Sequence, residues 1–392
     1  MWRAALLLFL ASLSWGQILL RENDWRAKEI ATYFEGGIET IRKESSRLNC
    51  EIQPIPSRLS YNFQFWTGYD VLVPMREFAS GGRDKPILMA LEVISETNGK
   101  KSYFFAPAQL PRNAPPEAWT SKNTMMNLGG GFLTGPGRFR VSLLVADGQG
   151  RTCTKAWKLE AAKLDVPLQL APGAVAANGL NTWKGLVGGS GKLSLYVHAA
   201  PLLRRKVKAK LSAWEQNVLL SSMKSLLESG GFEEARVTVF DFDGRRVLFE
   251  SEHFDAAAFE KLTEALADLN LGTVSAKTLA GPDESSLLAD LMGKELQRNG
   301  PSNAVVFLGP SWRYGPKISP LLREQRNQMP PTFYVTLTPW QSSTSDLIEK
   351  FVRTGPKGKV IAVYRPEDLA RAIREIREKR NSPAIPGPNV ME

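Results

Sequence analysis

The stretch Ala304-Val305-Val306-Phe307-Leu308 is an uninterrupted apolar run that ends at Gly309-Pro310. A short apolar run bounded by turn residues is typical of a strand buried on both faces in the middle of a parallel sheet. Helical periodicity flanks it on both sides, over 285–298 before the run and 318–328 after it. The central part of this region is therefore predicted to be α/β.

The same alternation extends outward from this strand in both directions. Ser212-Ala213-Trp214-Glu215 has the pattern of a capping box that opens a helix, and Asp243-Gly244 lies between two short apolar runs, as in a β-hairpin. Further strands are expected at 193–197, 333–337 and 360–363, and further helices at 255–269, 345–353 and 366–379. We predict a doubly wound, Rossmann-like α/β domain over 192–381 and a flexible, proline-containing tail over 382–392.

The first half of the chain has a different pattern. Residues 50–165 contain about seven short alternating runs separated by turn formers such as Asn98-Gly99, which predicts an antiparallel, immunoglobulin-like β-sandwich. One of these runs is Tyr61-Asn62-Phe63-Gln64-Phe65. Residues 166–191 are rich in Ala, Gly and Asn and are expected to be a linker. Residues 17–49 are expected to form an N-terminal helix whose apolar stripe comprises Ile30, Phe34, Ile38, Ile41 and Leu48.

The first 16 residues are typical of a signal peptide. Arg3 supplies the positive charge, an apolar run follows, and Ser14 and Gly16 occupy the small-residue positions of a cleavage before Gln17. An uncleaved anchor is the alternative, although the run is short for a membrane span. We expect no transmembrane segment after cleavage, and a protein that is secreted or periplasmic.

Composition narrows the chemistry further. Two histidines and two cysteines leave little room for a His-rich site and exclude a structural zinc site of four cysteines. Because export permits disulfides, Cys50 and Cys153 are predicted to form a bridge that closes the sandwich, the alternative being two buried thiols. The formal net charge of +10 favours acidic partners only weakly.

The region Lys192 to Lys379 resembles a von Willebrand factor type A (VWA) domain, and most closely the VWFA-related domains of exported bacterial proteins. The resemblance is carried by the order of elements and by three stretches: residues 235–247 (ARVTVFDFDGRRV), residues 252–262 (EHFDAAAFEKL) and Pro366-Glu367-Asp368-Leu369. It implies a VWA-like fold and a role in protein–protein contact.

The family's metal-ion-dependent adhesion motif uses three loops to hold a divalent ion, and here that motif is degenerate. The first loop of the family reads Asp-x-Ser-x-Ser, whereas this chain has His198, Ala200 and Leu202 at the corresponding positions. The second loop retains a hydroxyl, Ser286, and the third has Pro310 where an aspartate is expected. Without carboxylates in the first and third loops a hard cation lacks ligands. We therefore expect no metal and no cofactor.

The remaining candidates have ordinary structural explanations beside the functional ones. His198 ends a strand where α/β proteins bind ligands, but a buried histidine that closes a loop has the same pattern. His253 is expected to be exposed. Asp241 and Asp243 could act as an acid–base pair, although a hairpin turn explains them. The basic stretches 204–210 and 371–380 are solvated faces or contacts for an anionic envelope polymer or an acidic partner. Export and the lack of interleaved aromatic residues argue against nucleic acid.

Three functions remain open on the sequence alone. The first is an exported, non-enzymatic interaction or adhesion-type protein that binds a protein partner through the top face of the α/β sheet, near His198, Ser286, Ser311, Trp312 and Tyr314. In that case Trp312 and Tyr314 are aromatic anchors, although loop packing explains them equally well. The second is a cell-envelope hydrolase with a site between domains, for which no catalytic residue can be named. The third is a carbohydrate-binding module on the sandwich. An exposed row of aromatic residues on one sheet face would support it, whereas Trp66, Trp119 and Trp157 are also explained as core or shielding residues, and their burial would oppose it.

Overall fold

The computed structural model describes residues 17–35, 46–79, 86–111, 114–178, 183, 185–186, 188–202, 210–267, 269, 283–311, 318–337 and 346–380. These residues form two compact units. The first contains those within Met1–Leu59, Gln64–Leu164 and Leu168–Gly179, and the second those within Ser60–Phe63, Asp165–Pro167 and Leu180–Glu392. The predicted signal peptide, Trp312, Tyr314, the basic residues 204–208 and the predicted tail lie outside the described residues.

The first unit is built from two antiparallel sheets. Its strands are β1 (Ile18–Leu19), β2 (Glu51–Leu59), β3 (Phe65–Pro74), β4 (Ile87–Ser95), β5 (Lys101–Ala108), β6 (Met125–Thr134), β7 (Gly137–Ala146), β8 (Thr152–Ala161) and β9 (Val175–Ala177). The five-stranded sheet has the order β1-β5-β4-β7-β8, and the four-stranded sheet has the order β2-β3-β6-β9. Alternate residues of both sheets share one apolar core, in which Phe104 and Phe132 lie 5.4 Å apart between ring centroids. The predicted all-β region is therefore confirmed, with more strands than expected.

A disulfide joins Cys50, which precedes β2, to Cys153 in β8. The two Cα atoms are 6.1 Å apart, within the usual range for a disulfide, and the bridge spans 103 residues of sequence. Both cysteines are partly buried against the core of the first unit. The predicted Cys50–Cys153 pairing is confirmed.

Two strand predictions in this unit were incomplete. The alternating run that begins at Tyr61 is not a strand before Phe65: Phe63 has a φ of 54°, and its N–H donates to the Ser60 carbonyl at 2.9 Å in a turn. The apolar side chain of Phe63 is buried in the core of the second unit, which explains its apolar character without a strand. Strand β6 has no clear strand pattern in its sequence, because three consecutive glycines, residues 129–131, interrupt it.

The glycines of β6 provide room for aromatic rings of β3. A Cβ on Gly130 would lie 2.4 Å from the Tyr69 hydroxyl, and a Cβ on Gly131 would lie 2.7 Å from Nε1 of Trp66. Because these distances are far shorter than a Cβ tolerates, a larger residue at either position would displace the aromatic ring that faces it. The sequence pattern alone could not show which aromatic residues face them.

The N-terminal helix begins later than predicted, because residues 17–24 are not helical. Helix α1 spans Trp25–Glu35 and buries Ile30 and Phe34, while Ile38 and Ile41 lie outside the described residues. Leu48 is not on this helix. It is buried in the core of the two sheets, and its N–H donates to the Thr152 carbonyl at 2.8 Å. A second short helix, α2, spans Pro116–Thr120.

The expected linker, 166–191, contributes to both units. Val175–Ala177 pairs with β6 as the edge strand of the four-stranded sheet. Trp183 is buried in the core of the second unit, with its ring centroid 5.1 Å from that of Phe254. Part of this segment is therefore paired in a sheet and is not a bare connection.

The second unit is an α/β structure around a six-stranded sheet. Its strands are β10 (Lys192–His198), β11 (Glu234–Asp241), β12 (Arg246–Ser251), β13 (Ala304–Gly309), β14 (Thr332–Leu337) and β15 (Gly358–Val363). Its helices are α3 (Ala213–Ser229), α4 (Ala256–Ala267), α5 (Glu284–Gln297), α6 (Pro320–Gln328), α7 (Leu347–Arg353) and α8 (Pro366–Arg380). The order is β12-β11-β10-β13-β14-β15, and every neighbouring pair is parallel except β11 with β12. This confirms the α/β class.

Strand β13, which contains the quoted apolar run, is fully buried between β10 and β14. Successive side chains of the sheet enter two different apolar clusters, as the period of a strand requires: Leu195 and Val197 belong to one cluster, and Tyr196 belongs to the other. The capping box at Ser212 and Glu215 is present at the start of α3. Trp214 is 51% exposed, whereas Val218 and Met223 of the same helix are buried.

Candidate functional site

The carboxyl ends of the parallel strands are the place where α/β proteins usually bind ligands. His198 ends β10 there and is completely buried. Its Nδ1 atom lies 3.2 Å from the Pro310 carbonyl oxygen, which follows β13. Its ring stacks on Phe240 of β11, with centroids 5.4 Å apart, and lies 5.0 Å from the ring of Phe242. His198 thus has the surroundings of a core residue.

A second set of buried groups continues from the same carbonyl. The Tyr334 hydroxyl of β14 lies 3.1 Å from the Pro310 oxygen and 2.9 Å from Oδ2 of Asp346. The other carboxylate oxygen of Asp346 accepts the Glu349 N–H at 2.6 Å and caps α7. A continuous set of contacts, which we call the edge network, therefore runs from His198 through Pro310 and Tyr334 to Asp346.

Gly309 allows β10 and β13 to approach closely at their carboxyl ends. Its φ is 152°, and a Cβ at this position would lie 2.6 Å from the His198 carbonyl oxygen and 2.9 Å from the His198 Cβ. A larger residue would push the two strand ends apart. The edge network thus depends on a glycine directly before Pro310.

The first loop after β10 carries apolar groups. Ala199, Ala200 and Leu202 are buried, and none of them has a side-chain oxygen. The Ala199 N–H donates to the Phe240 carbonyl at 2.9 Å, and the Ala200 N–H to the His198 carbonyl at 3.1 Å. This loop therefore turns back on the sheet through its backbone.

The hydroxyl expected from the second loop is already bound within helix α5. Asp283 is the N-cap of α5, and its Oδ1 accepts both the Ser286 N–H and the Ser286 hydroxyl at 2.8 Å. These two hydrogen bonds are the main reason why the pKa of Asp283 is lowered. Ser286 thus stabilises a helix end, and Asp283 and Glu284 lie at the helix N-terminus, where negative charge is favourable.

The remaining predicted interaction residues are placed only in part. Ser311, next to Pro310, is half-buried. Trp312 and Tyr314 lie outside the described residues. His253 is 85% exposed, and its Nδ1 lies 3.3 Å from a carboxylate oxygen of Glu234.

The Asp241 and Asp243 pair forms a turn. Asp241 is buried, and its carboxylate accepts the Asp243 N–H at 2.9 Å and the Gly244 N–H at 3.1 Å. Burial, followed by the charge of Asp243, raises the pKa of Asp241 to about 6, against the opposing effect of those hydrogen bonds. Arg245 of the same turn lies 3.3 Å from Glu284 at the start of α5. The hairpin turn explanation accounts for both aspartates.

The tryptophans proposed for sugar binding do not form an open platform. Trp119 is buried, and Trp157 packs against the core of the first unit. Trp66 is half-buried and lies over Gly131 of the neighbouring strand. These positions favour packing over carbohydrate recognition.

Sequence reasoning missed a buried polar cluster around Glu295. Its carboxylate accepts the hydroxyls of Ser194 at 2.8 Å, Ser302 at 2.7 Å and Tyr196 at 3.0 Å, and pairs with Nη1 of Arg298 at 2.8 Å. Burial alone would raise the pKa of Glu295, but these hydrogen bonds outweigh it and hold the pKa below its ordinary value. The sequence contained a signal: Glu295 continues the helical stripe of Leu288, Leu291 and Met292.

The residues at the carboxyl ends of the parallel strands do not fit the divalent ion of the VWA family. A hard cation needs several oxygen ligands, most of them charged, whereas the matching positions provide an imidazole, a methyl group, a leucine and a proline. The oxygens that are present, on Ser286 and Pro310, already accept or donate hydrogen bonds. Over the described residues, no three His, Cys, Asp or Glu side chains are grouped so as to hold a metal.

None of the helices that the structure describes is long and apolar enough to cross a membrane.

No family model matches the chain, and no curated protein does. Among solved structures, the chain is similar to an aerotolerance-related membrane protein from Bacteroides fragilis NCTC 9343, with 12% identity over 48% of this chain and 100% of that one and a TM-score of 0.31. It is similar to BatB, a conserved hypothetical protein from Bacteroides thetaiotaomicron, with 11% identity over 49% of this chain and 98% of that one and a TM-score of 0.31. A β-glucosidase from Listeria innocua matches 30% of this chain and 17% of its own at 8% identity, with a TM-score of 0.16.

Proposed function

We propose that this chain is an exported, non-enzymatic protein that binds a protein partner, with an immunoglobulin-like sandwich followed by a VWA-like unit that has lost its metal site. The edge network from His198 to Asp346 carries the proposal. Its groups are buried and bonded to one another at the carboxyl ends of the strands. This end of the sheet therefore resembles a rigid scaffold for the surrounding loops more than a metal centre or a catalytic pocket.

The strand arrangement supports the VWA-like assignment. The single antiparallel strand β12 lies at one edge, beside β11, and β10 and β13 lie in the centre. This arrangement agrees with the stretch 235–247, whose hairpin carries the family resemblance. The order of the strands in space is an additional point of agreement that the sequence alone does not provide.

The disulfide supports export. Bridges of this kind form and persist mainly in oxidising compartments, and Cys50–Cys153 closes a long loop in the first unit. Together with the predicted signal peptide, it favours a secreted or periplasmic protein. The partner is a protein of the cell envelope or of its surroundings.

The proposed binding face is the top face of the α/β sheet, near Trp312 and Tyr314. It is tested by capturing the partner from an envelope extract with the full mature chain as bait. We expect Trp312→Ala combined with Tyr314→Ala to reduce recovery of the partner at least tenfold, because aromatic anchors typically contribute about 2 kcal/mol or more each. Trp214→Ala is the matched control, since it removes an exposed tryptophan from helix α3.

Equal recovery by the wild type, the double variant and the control would contradict this face as the binding site. Failure of every bait to recover a specific protein would contradict the proposed function itself. Circular dichroism of each variant shows whether a loss reflects unfolding.

A further inference from the structure

Gln17 directly precedes strand β1, and the predicted signal-peptide cleavage would leave it as the first residue of the mature chain. The residues that follow it are fixed in the first unit. Ile18 and Leu19 pair with β5, and the Leu20 N–H donates to the Tyr103 carbonyl at 2.9 Å. Cleavage would therefore place a free amine at the start of an ordered strand.

The side-chain amide of Gln17 is bonded at its oxygen only. Oε1 accepts the Tyr69 hydroxyl of β3 at 3.1 Å, whereas Nε2 is buried and has no hydrogen-bond partner among the described residues. Burial raises the pKa of Tyr69, so its hydroxyl remains protonated and available as a donor. The carbonyl of this amide is thus held and polarised, and no hydrogen bond in the described part of the chain retains its nitrogen.

Strand β6 leaves space for the contact between Gln17 and Tyr69. A Cβ on Gly130 would lie 2.5 Å from Oε1 of Gln17 and 2.4 Å from the Tyr69 hydroxyl oxygen. Any larger residue at this position would displace one of the two groups. Gly130 therefore allows the amide oxygen and the hydroxyl to meet.

An N-terminal glutamine carries an amine and an amide carbon that can close a five-membered lactam, and their proximity within one residue favours the reaction. The neutral amine attacks Cδ, the Cδ–Nε2 bond breaks, and a proton of the amine leaves with Nε2 as ammonia. Atoms and charge therefore balance without a co-reactant. A hydrogen-bond donor on the amide oxygen stabilises the negative charge that develops there during the attack.

We propose that Gln17 of the mature chain closes to pyroglutamate, and that the Tyr69 hydroxyl promotes this closure by binding the amide oxygen. The lactam retains a carbonyl that can accept from Tyr69, and it lacks the buried Nε2 that has no partner. The mature chain then begins with an uncharged end that has no free amine. This inference rests on the proposed export, because removal of residues 1–16 frees the amine of Gln17.

Closure is tested on the mature chain released from a fusion protein by a protease that cuts directly before Gln17. Intact mass spectrometry at pH 8, where about half of an α-amine is neutral, follows the loss of one ammonia with time. We expect the folded protein to close at least about tenfold faster than the same chain in guanidinium chloride, because only the folded chain brings the Tyr69 hydroxyl to Oε1.

Tyr69→Phe should remove this advantage and should close at the wild-type rate when both chains are denatured. Gln17→Ala is the matched control, since it reports any ammonia lost from the other amides of the chain. A folded wild type that closes no faster than the denatured wild type would overturn the proposal. Equal rates for folded wild type and folded Tyr69→Phe would overturn it as well, with circular dichroism showing that the variant has folded.

A second arm expresses the full-length chain with its own residues 1–16 and identifies the N-terminal peptide of the exported protein by mass spectrometry. We expect that peptide to begin with pyroglutamate at position 17. An exported chain that begins at another residue, or that keeps an open Gln17 amide, would overturn this inference alone. Retention of the whole chain in the cytoplasm would instead contradict the proposed export.

Discussion

Replacing Glu295 with alanine is expected to destabilise the second unit by about 3–5 kcal/mol, the usual cost of removing one partner from a buried charged network. The change removes the carboxylate that accepts from three buried hydroxyls, those of Ser194, Ser302 and Tyr196, of which Ser194 and Ser302 can still bond to each other, at 2.7 Å. It also leaves the Arg298 guanidinium without its buried partner, although Glu250 and Glu252 still contact its other nitrogen at 2.9 and 2.7 Å.

Hydrogen exchange of the β10 and β13 amides measures this effect within the second unit. Glu324→Ala is the matched control because that glutamate is exposed on α6, and surface changes of this kind stay within about 0.5 kcal/mol. Peptides from β7 serve as an internal reference from the first unit. A loss below about 1 kcal/mol for Glu295→Ala would show that the cluster does not stabilise the fold.

The pH dependence of the same cluster has a defined sign. Because the pKa of Glu295 is lower in the folded state than in the unfolded chain, its contribution to stability is complete above the unfolded pKa. That contribution is lost as the pH falls through the folded pKa. The wild type should therefore lose protection in β10 on acidification more steeply than Glu295→Gln.

Removing the disulfide should produce the second large effect, in the first unit. Replacing both Cys50 and Cys153 with alanine opens a loop of 103 residues, and the chain-entropy model gives a loss of roughly 4 kcal/mol for loops of this length. The alanine pair avoids new polar groups in a partly buried position. Hydrogen exchange in β7 and β8 reports the loss.

Reduction of the wild type provides the control, since it should lower protection in β7 and β8 by a similar amount. Protection in β13 of the second unit should change little in both cases. If the double variant and the reduced protein kept the protection of the oxidised wild type, the bridge would not be a major source of stability.

Local sequence signals predicted the second unit well because its elements depend on short-range physics. The apolar run at 304–308 is a buried central strand, and the capping box at Ser212 is formed. Asp243-Gly244 lies in the turn between β11 and β12. Each of these features depends on only a few neighbouring residues, which set a burial pattern, a helix end or a turn.

Features decided by distant residues were harder to predict. Phe63 alternates with its neighbours as a strand residue would, yet it is buried in another apolar core. Strand β6 depends on the aromatic rings of β3 that cover its glycines, and the sequence does not reveal that pairing.

The same limit applied to the candidate site. The position of His198 at the end of β10 was predictable, but its packing on Phe240 depends on the register between β10 and β11. The contact from Tyr334 to Asp346 joins residues on opposite sides of a stretch outside the described residues. The sequence indicated that the metal ligands of the VWA family are missing, and the structure shows which groups occupy the carboxyl ends of the strands instead.

Calorimetry of the chelator-treated mature protein with Mg²⁺ and Mn²⁺ tests the proposed VWA-like unit, in which buried, mutually bonded groups at the strand ends take the place of an ion. We predict heats equal to those of dilution for the wild type, and the same result for Asp283→Ala. One-to-one binding of either ion by the wild type, abolished in Asp283→Ala, would show that the VWA-like unit has kept a metal site.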